Sequence, residues 1–220
     1  NMKYAKRLVC TLLGLAMALS LAACGTPAAQ GSPSPSATPT ATAPTGTLTG
    51  GEESSHYPET ITTYNYAGEP VETVYEKAPE RVVAVYQGCI ETMIALGLED
   101  HVIASYGLDN EVKDEWKDGF ARMHYDESVF APDKETVTLL QPDLIFSWGS
   151  LFGDKKLGDV DGWIAKGTNT YINTNTSSGG SRTLENEYTD ILNIGKIFDV
   201  EDKAQALVDE MKAQVEETLA

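Results

Sequence analysis

Arg81-Val82-Val83-Ala84-Val85-Tyr86 is the stretch that decides the fold, because four apolar residues follow one another without interruption. An apolar run of this kind suits a strand that is covered on both faces, as in a parallel sheet. Gln87-Gly88 then makes a turn, and apolar residues recur at roughly helical spacing at Ile90, Met93, Ile94 and Leu96. The stretch therefore predicts a buried strand that leads directly into a helix.

Strands and helices continue to alternate after this unit. The predicted elements are a strand at His101–Tyr106, a helix around Asn110–Lys117, a helix at Asp133–Leu140, a strand at Leu144–Trp148, a helix at Val160–Lys166 and a strand at Thr170–Asn173. The helix at Asp133–Leu140 is expected to stop before Pro142, because the residue before a proline disfavours the helical region. This alternation predicts an α/β fold: a Rossmann-like, mostly parallel sheet flanked by helices, with a ligand site beyond the carboxyl ends of the strands.

The flanking segments have other patterns. Between Ile61 and Tyr75, two stretches that alternate Thr and Tyr with other residues surround Ala67–Pro70, which predicts a β-hairpin. Near the other end, Leu184–Phe198 and Glu201–Leu219 predict two successive helices.

The first 23 residues are typical of a secretory signal peptide. Three basic residues precede Leu8–Ala23, a run that carries no charge and is too short for a comfortable membrane span. The run ends in Leu21-Ala22-Ala23-Cys24-Gly25, which resembles the bacterial lipoprotein box. We therefore expect a lipid anchor on Cys24 and no other covalent cofactor; the alternative is ordinary cleavage after Ala23 that leaves a free thiol.

Residues 24–56 are predicted to be a solvated tether. Residues 25–50 contain no charged side chain and hold five of the ten prolines, so the segment cannot bury enough apolar area to offset its chain entropy. Without the three basic residues of the signal, 13 basic residues stand against 33 acidic ones, a formal charge of −20. A surface this acidic disfavours nucleic acid and anionic lipid as partners.

No catalytic constellation is found. The sequence has no Gly-x-Ser-x-Gly elbow, no glycine-rich phosphate loop and no His-Glu-x-x-His, so we expect a protein that is not an enzyme. His56, His101 and His124 are scattered, and no bare-metal site is predicted. Cys89, the one cysteine after Cys24, is predicted to be a packed residue and not a reactive thiolate.

Aromatic and amide groups follow the predicted strands. The candidate ligand-binding residues at these strand ends are Tyr86, Gln87, Gly88, Tyr106, Trp148, Gly149 and Asn173. Flat rings with a few hydrogen-bonding groups suit a bulky, planar or chelated ligand. The alternative is that the rings only cap the core.

Glu135-Thr136-Val137-Thr138-Leu139-Leu140-Gln141-Pro142-Asp143-Leu144-Ile145 carries the most specific resemblance. Together with Pro79–Val83, it resembles the extracytoplasmic substrate-binding proteins of ABC importers for iron–siderophores, haem and cobalamin. The likeness runs from about Gly68 to the last residue and covers the first half of that family's fold. It implies an amino-terminal lobe at 57–198 and a linking helix at 199–220, with the second lobe absent from this chain.

The resemblance also implies roles for individual residues. Gln87 and Gly88 fall at contact positions of the first loop, Tyr106 and Trp148 at aromatic contact positions, and Phe130 close to another. Glu135 matches a carboxylate that docks on the permease. The implied protein is a lipoprotein on the outer face of the cell membrane that delivers an iron–siderophore, haem or corrinoid to an ABC permease.

Two other functions stay open at this point. One is a single-lobed, membrane-tethered interaction or sensor module with no transport role. The other is a secreted hydrolase, for which the sequence offers no nucleophile or metal set.

Overall fold

Six strands form two sheets in the structure, a computed structural model that describes residues 56–177 and 180–220. They are β1 (Glu59–Tyr64), β2 (Pro70–Tyr75), β3 (Val82–Val85), β4 (Val102–Tyr106), β5 (Leu144–Ser147) and β6 (Asn169–Ile172). The last four form a parallel sheet in the order β4-β3-β5-β6, which confirms the predicted α/β fold. The signal peptide, Cys24 and the tether up to residue 55 lie outside the described residues.

Helices cover both faces of this sheet. They are α1 (Gln87–Ala95), α2 (Lys117–Phe120), α3 (Lys134–Leu140), α4 (Val160–Ala165), α5 (Leu184–Ile197) and α6 (Glu201–Leu219). Across the described ranges, no helix combines the length and the apolar character that a membrane crossing needs.

The core has two apolar clusters, one on each face of the parallel sheet. Val82 and Ala84 belong to the cluster that includes residues of α1, α5 and α6, whereas Val83 and Val85 belong to the cluster that includes residues of α3 and α4. All four side chains are fully buried, as the uninterrupted apolar run predicts. Each buried valine contributes roughly 1.5–3 kcal/mol relative to an exposed one.

Asp143 fixes the start of the central strand. Its two carboxylate oxygens accept hydrogen bonds from the backbone N–H groups of Glu80 (2.8 Å) and Arg81 (2.9 Å). The Arg81 guanidinium in turn donates to the carbonyls of Leu140 (2.6 Å) and Gln141 (3.0 Å), where α3 ends. The segment from Leu140 to Asp143 therefore ties the end of α3 to the beginning of β3.

The predicted hairpin is present and lies beside the edge of the parallel sheet. β1 and β2 pair antiparallel, and Thr63 of β1 accepts a hydrogen bond at its Oγ1 from the backbone N–H of Ile172 (2.9 Å). Asn169 donates from its side chain to the Val74 carbonyl of β2 (2.8 Å). The hairpin thus meets β6 through side-chain hydrogen bonds and not through a regular ladder.

The predicted helix at Asn110–Lys117 is wrong. Residues 110–113 are not helical; a 3-10 turn occupies Asp114–Trp116, and α2 follows as a single turn. The side chain of Gln87 explains the difference, because its Oε1 accepts hydrogen bonds from the backbone N–H groups of Asp109 and Asn110, both at 3.1 Å. A side chain from another element thereby holds these residues in a loop.

Two smaller boundaries also differ from the sequence prediction. The strand predicted from His101 begins at Val102, because Glu99–His101 forms a 3-10 turn. His56, which the sequence assigns to the end of the tether, lies within hydrogen-bonding distance of the Lys196 carbonyl at the end of α5 (2.6 Å).

A buried carboxylate joins α5 to the loop after β6. Asp190 is 2% exposed, and it accepts hydrogen bonds from the Thr174 backbone N–H (2.8 Å), the Thr174 hydroxyl (2.5 Å) and the Tyr171 hydroxyl (2.7 Å). Burial raises the pKa of Asp190 to about 6, and these hydrogen bonds only partly oppose it. The loop that follows β6 is thus held by a carboxylate whose charge changes near neutral pH.

This arrangement predicts a pH-dependent stability. Because the pKa of Asp190 is raised by folding, the folded state binds the proton more tightly than the unfolded state does. The free energy of unfolding of the wild type, relative to Asp190→Asn, should therefore fall as the pH rises from about 4 through about 6. A shift of about two pKa units corresponds to a total change of about 3 kcal/mol.

Urea unfolding at a series of pH values between 4 and 8 measures this difference. Asp161→Asn, in the exposed first turn of α4, removes the same charge without touching the network and serves as the control. A difference between wild type and Asp190→Asn that stays constant across the range would contradict the prediction.

Candidate ligand-binding site

The carboxyl ends of β3, β4, β5 and β6 lie along one edge of the parallel sheet. In the order β4-β3-β5-β6, the chain passes from β3 to β4 on one side and returns to β5 on the other. The helices after β3 and β5 pack on opposite faces, since α1 contributes to one apolar cluster and α4 to the other. Such a reversal of strand order opens a crevice at the carboxyl ends, where open α/β sheets bind their ligands.

Three of the predicted aromatic residues meet at this reversal. The rings of Tyr86 and Trp148 are stacked, with centroids 3.9 Å apart and planes inclined by 17°. Phe130 lies against the same tyrosine, with ring centroids 5.4 Å apart and planes inclined by 53°. We call Tyr86, Phe130 and Trp148 the ring cluster.

The backbone at Tyr86 has an unusual conformation, with φ of 84° and ψ of 157°. Its N–H donates to the Tyr106 carbonyl (2.8 Å), and its carbonyl accepts from Ile90 N–H (3.1 Å), so the backbone of this residue links the end of β4 to the first turn of α1. A non-glycine residue in this region costs of order 1–3 kcal/mol, and such strain concentrates at functional sites. The stack on Trp148 and the two hydrogen bonds hold the residue there.

Exposure differs greatly within the ring cluster. Tyr86 is 4% exposed, whereas Phe130 is 51% exposed and Trp148 is half-buried. A ligand at this edge would therefore meet Phe130 and Trp148 first, with Tyr86 supporting them from below. Burial raises the pKa of Tyr86, partly opposed by a hydrogen bond with Ser150, so the phenol is neutral at physiological pH.

Tyr106 is not part of the ring cluster. It ends β4 and is 4% exposed, and burial raises the pKa of its phenol. Among the described residues, no ring contact joins it to Tyr86, Phe130 or Trp148. Its side chain belongs to the same apolar cluster as Tyr86, and its contact with a ligand stays a prediction.

Gln87 is engaged by neighbouring loops. Besides the two backbone N–H groups that its Oε1 binds, its Nε2 donates to Glu91 Oε1 at 2.8 Å. Its amide therefore orders the loop after β4, and a contact with ligand stays a prediction.

Gly88, Gly149 and Asn173 lie where the loops approach one another closely. A methyl group on Gly88 would lie 3.8 Å from Asn173 Nδ2, and one on Gly149 would lie 2.9 Å from the Thr176 carbonyl oxygen. Gly149 N–H also donates to Thr176 Oγ1 (3.0 Å), and Asn173 N–H donates to the Ser147 carbonyl (3.1 Å). Gly149 thus allows the close packing of the loops after β5 and β6, whereas a methyl group on Gly88 would make only an ordinary van der Waals contact.

The sequence reading missed the network centred on Asp190. The sequence does contain a signal for this network: Asp190 lies on the apolar face of a helix, among Tyr188, Ile191 and Ile194. An unpaired charge there would be costly, so hydrogen-bond partners are expected. Cys89, in contrast, is fully buried, which confirms a packed cysteine, and burial raises the pKa of its thiol well above the usual value.

Glu135 lies in the exposed first turn of α3, five residues after Phe130. The helix is capped by Asp133, whose carboxylate accepts from Thr136 N–H (2.7 Å). The position leaves the Glu135 carboxylate open to solvent, and its docking role stays a prediction.

Solved structures of similar fold are known. A periplasmic binding protein from Veillonella parvula is 34% identical with a TM-score of 0.68, and the match covers 74% of this chain and 52% of that one. An ABC-type Fe3+-hydroxamate transport system from Saccharomonospora viridis is 25% identical with a TM-score of 0.58, covering 74% and 56%. A petrobactin-binding protein from Bacillus subtilis is 26% identical with a TM-score of 0.50, covering 72% and 52%.

The chain spans about half the length of each of these structures. No curated protein matches it with significant similarity. The sequence profile described as periplasmic binding protein matches residues 82–218, from the first residue of β3 nearly to the end of α6. The chain therefore belongs to the periplasmic binding protein family.

Proposed function

We propose that this chain is the amino-terminal lobe of a lipid-anchored binding protein that captures an iron–siderophore, haem or corrinoid and delivers it to an ABC permease. The observation that carries the proposal is the ring cluster at the reversal of strand order, with Phe130 and Trp148 facing outward. Capture of the ligand makes and breaks no covalent bond.

The chemistry of the ring cluster favours a ligand with flat, weakly charged surfaces. Aromatic faces bury apolar area on a ligand without removing an ionic group from water. Among the three ligand classes, two of the solved structures support an iron–siderophore, since one is described as an Fe3+-hydroxamate system and another as petrobactin-binding. We therefore place an iron–siderophore first.

A second lobe belongs to this proposal, because the chain spans about half the length of the solved structures that it matches. In that arrangement, α6 is the helix that links the lobes, and the ligand lies between the ring cluster and the second lobe. A lipid on Cys24 and the tether would hold the protein at the membrane of its permease, which raises its local concentration there.

The ring cluster predicts which side chains matter for affinity. In the complete gene product, Trp148→Ala and Phe130→Ala should each weaken binding of a ferric hydroxamate siderophore by about tenfold or more, as expected for a central aromatic contact. Isothermal calorimetry measures the affinity without relying on the tryptophan that is removed. Haemin and cyanocobalamin, titrated in parallel, test the other two ligand classes.

Trp116→Phe is the matched control, because Trp116 lies under the Lys113 ammonium group and outside the ring cluster. Unchanged affinity in both Trp148→Ala and Phe130→Ala would remove the ring cluster from the site. Absence of binding by all three ligands would favour the single-lobed interaction module over a transport role.

The docking hypothesis for Glu135 predicts a separate phenotype. Glu135→Ala should leave siderophore affinity unchanged and lower the rate of radiolabelled iron uptake by cells several-fold, because a charge at the rim of an interface acts mainly on association. Glu72→Ala, an exposed glutamate of β2, is the control. Equal uptake by both variants and the wild type would argue against docking through Glu135.

A further inference from the structure

His56 is held between a carbonyl and three carboxylates at the turn that joins α5 to α6. Its Nε2 lies 2.6 Å from the Lys196 carbonyl oxygen. Its Nδ1 faces Asp199 Oδ1 at 3.4 Å, Glu201 Oε2 at 3.7 Å and Glu59 Oε1 at 3.9 Å. The chain thus brings the first described residue together with two acidic groups that lie more than 140 residues later.

The hydrogen bond to Lys196 assigns one proton on the ring. A carbonyl oxygen only accepts, so Nε2 carries a hydrogen in both the neutral and the charged imidazole. When Nδ1 is also protonated, the imidazolium cation faces the three carboxylates and is attracted to them. When Nδ1 is not protonated, its lone pair faces the carboxylates and this attraction is lost. In the part of the chain that the structure describes, His56 is the one ion-pair partner of these three carboxylates.

The turn itself is under constraint. Asp199 has a φ of 54°, and α6 starts at Glu201 with no side-chain cap on its first turn. Behind the turn the helices almost touch, because a methyl group on Gly195 would lie 2.5 Å from the Ala204 Cβ.

We propose that protonated His56 is a latch that fastens the segment before β1 to the α5–α6 turn, and that loss of its proton releases this contact. The imidazolium bridges Glu59 of β1 to Asp199 and Glu201, and it neutralises part of the charge where α6 begins. The latch is a property of the folded chain and does not depend on the proposed ligand or on transport.

The other groups around His56 do not replace the latch. The ring of Tyr57 makes an edge contact with the imidazole, with centroids 4.7 Å apart, and its hydroxyl donates to the Ile197 carbonyl (2.8 Å). Burial raises the pKa of Tyr57 to about 12, so this contact stays constant between pH 5.5 and 9. Lys196 contributes its carbonyl, and its side chain is exposed.

The direction of the pH effect follows from the same contacts. The hydrogen bond to Lys196 raises the pKa of His56 most, Asp199, Glu59 and Glu201 raise it further, and partial burial opposes them. A histidine whose pKa is raised by folding stabilises the fold below its unfolded pKa of about 6.5. That stabilisation is lost as the pH rises through the raised pKa of His56 in the folded state.

The test uses the purified chain in EDTA at constant ionic strength, between pH 5.5 and 9. NMR titration gives the pKa of each imidazole, and His56→Gln assigns the signal. Amide hydrogen exchange, corrected for its intrinsic pH dependence, reports opening at the first turn of α6. We expect a His56 pKa above 6.5 and about two- to fivefold faster opening at high pH, the range of a partly exposed ion pair.

Two variants separate the latch from a general loss of stability. In His56→Gln the pH dependence of opening should disappear, whereas His124→Gln, in an exposed loop, should keep it. Asp199→Asn with Glu201→Gln should lower the pKa of His56. A His56 pKa at or below 6.5, a pKa unaffected by the double substitution, or the same pH response in His56→Gln would each overturn the proposal.

Discussion

The carboxylate of Asp143 is the contact on which the geometry of the sheet edge depends. By binding two successive backbone amides before β3, it sets where the central strand begins relative to β5. The register then pairs Val82 with Leu144 and Ala84 with Phe146. Two residues further along, Tyr86 and Trp148 come level with each other, and their rings stack. A carboxylate at one end of the strands thus determines which side chains meet at the other.

The stack also means that the candidate site would be organised before a ligand arrived. Tyr86 is fixed by its backbone hydrogen bonds and by Trp148, and Trp148 packs against both apolar clusters. Rings that are already ordered lose little side-chain entropy on binding, so more of the contact energy is available for affinity. The unfavourable backbone conformation of Tyr86 is of the kind that is found at functional sites, where the placement of a side chain outweighs the cost of backbone strain.

Local patterns were sufficient for most of the fold and for part of the site. The apolar runs at β3 and β5 and the apolar stripes of α5 and α6 identify their elements, because burial on one or two faces leaves a periodic trace. The loop at 110–113 has no such periodic pattern, because the side chain that holds it, Gln87, is distant in sequence. Likewise, strand ends can be predicted, but the outward position of Phe130 and the inward position of Tyr106 depend on how loops pack. The network of Asp190 was missed for the same reason, because its donors lie 16 and 19 residues away.

The side-chain hydrogen bonds between the hairpin and β6 have a consequence for solubility. An uncovered strand at the edge of a sheet offers its backbone groups to any other extended chain, which is how sheets grow between molecules. Here the Ile172 N–H is already bound by Thr63, and β1 and β2 lie alongside the strand. Because the hairpin is attached through side chains, it covers the edge without extending the ladder. The hairpin therefore lies between the Ile172 N–H and any neighbouring copy of the protein.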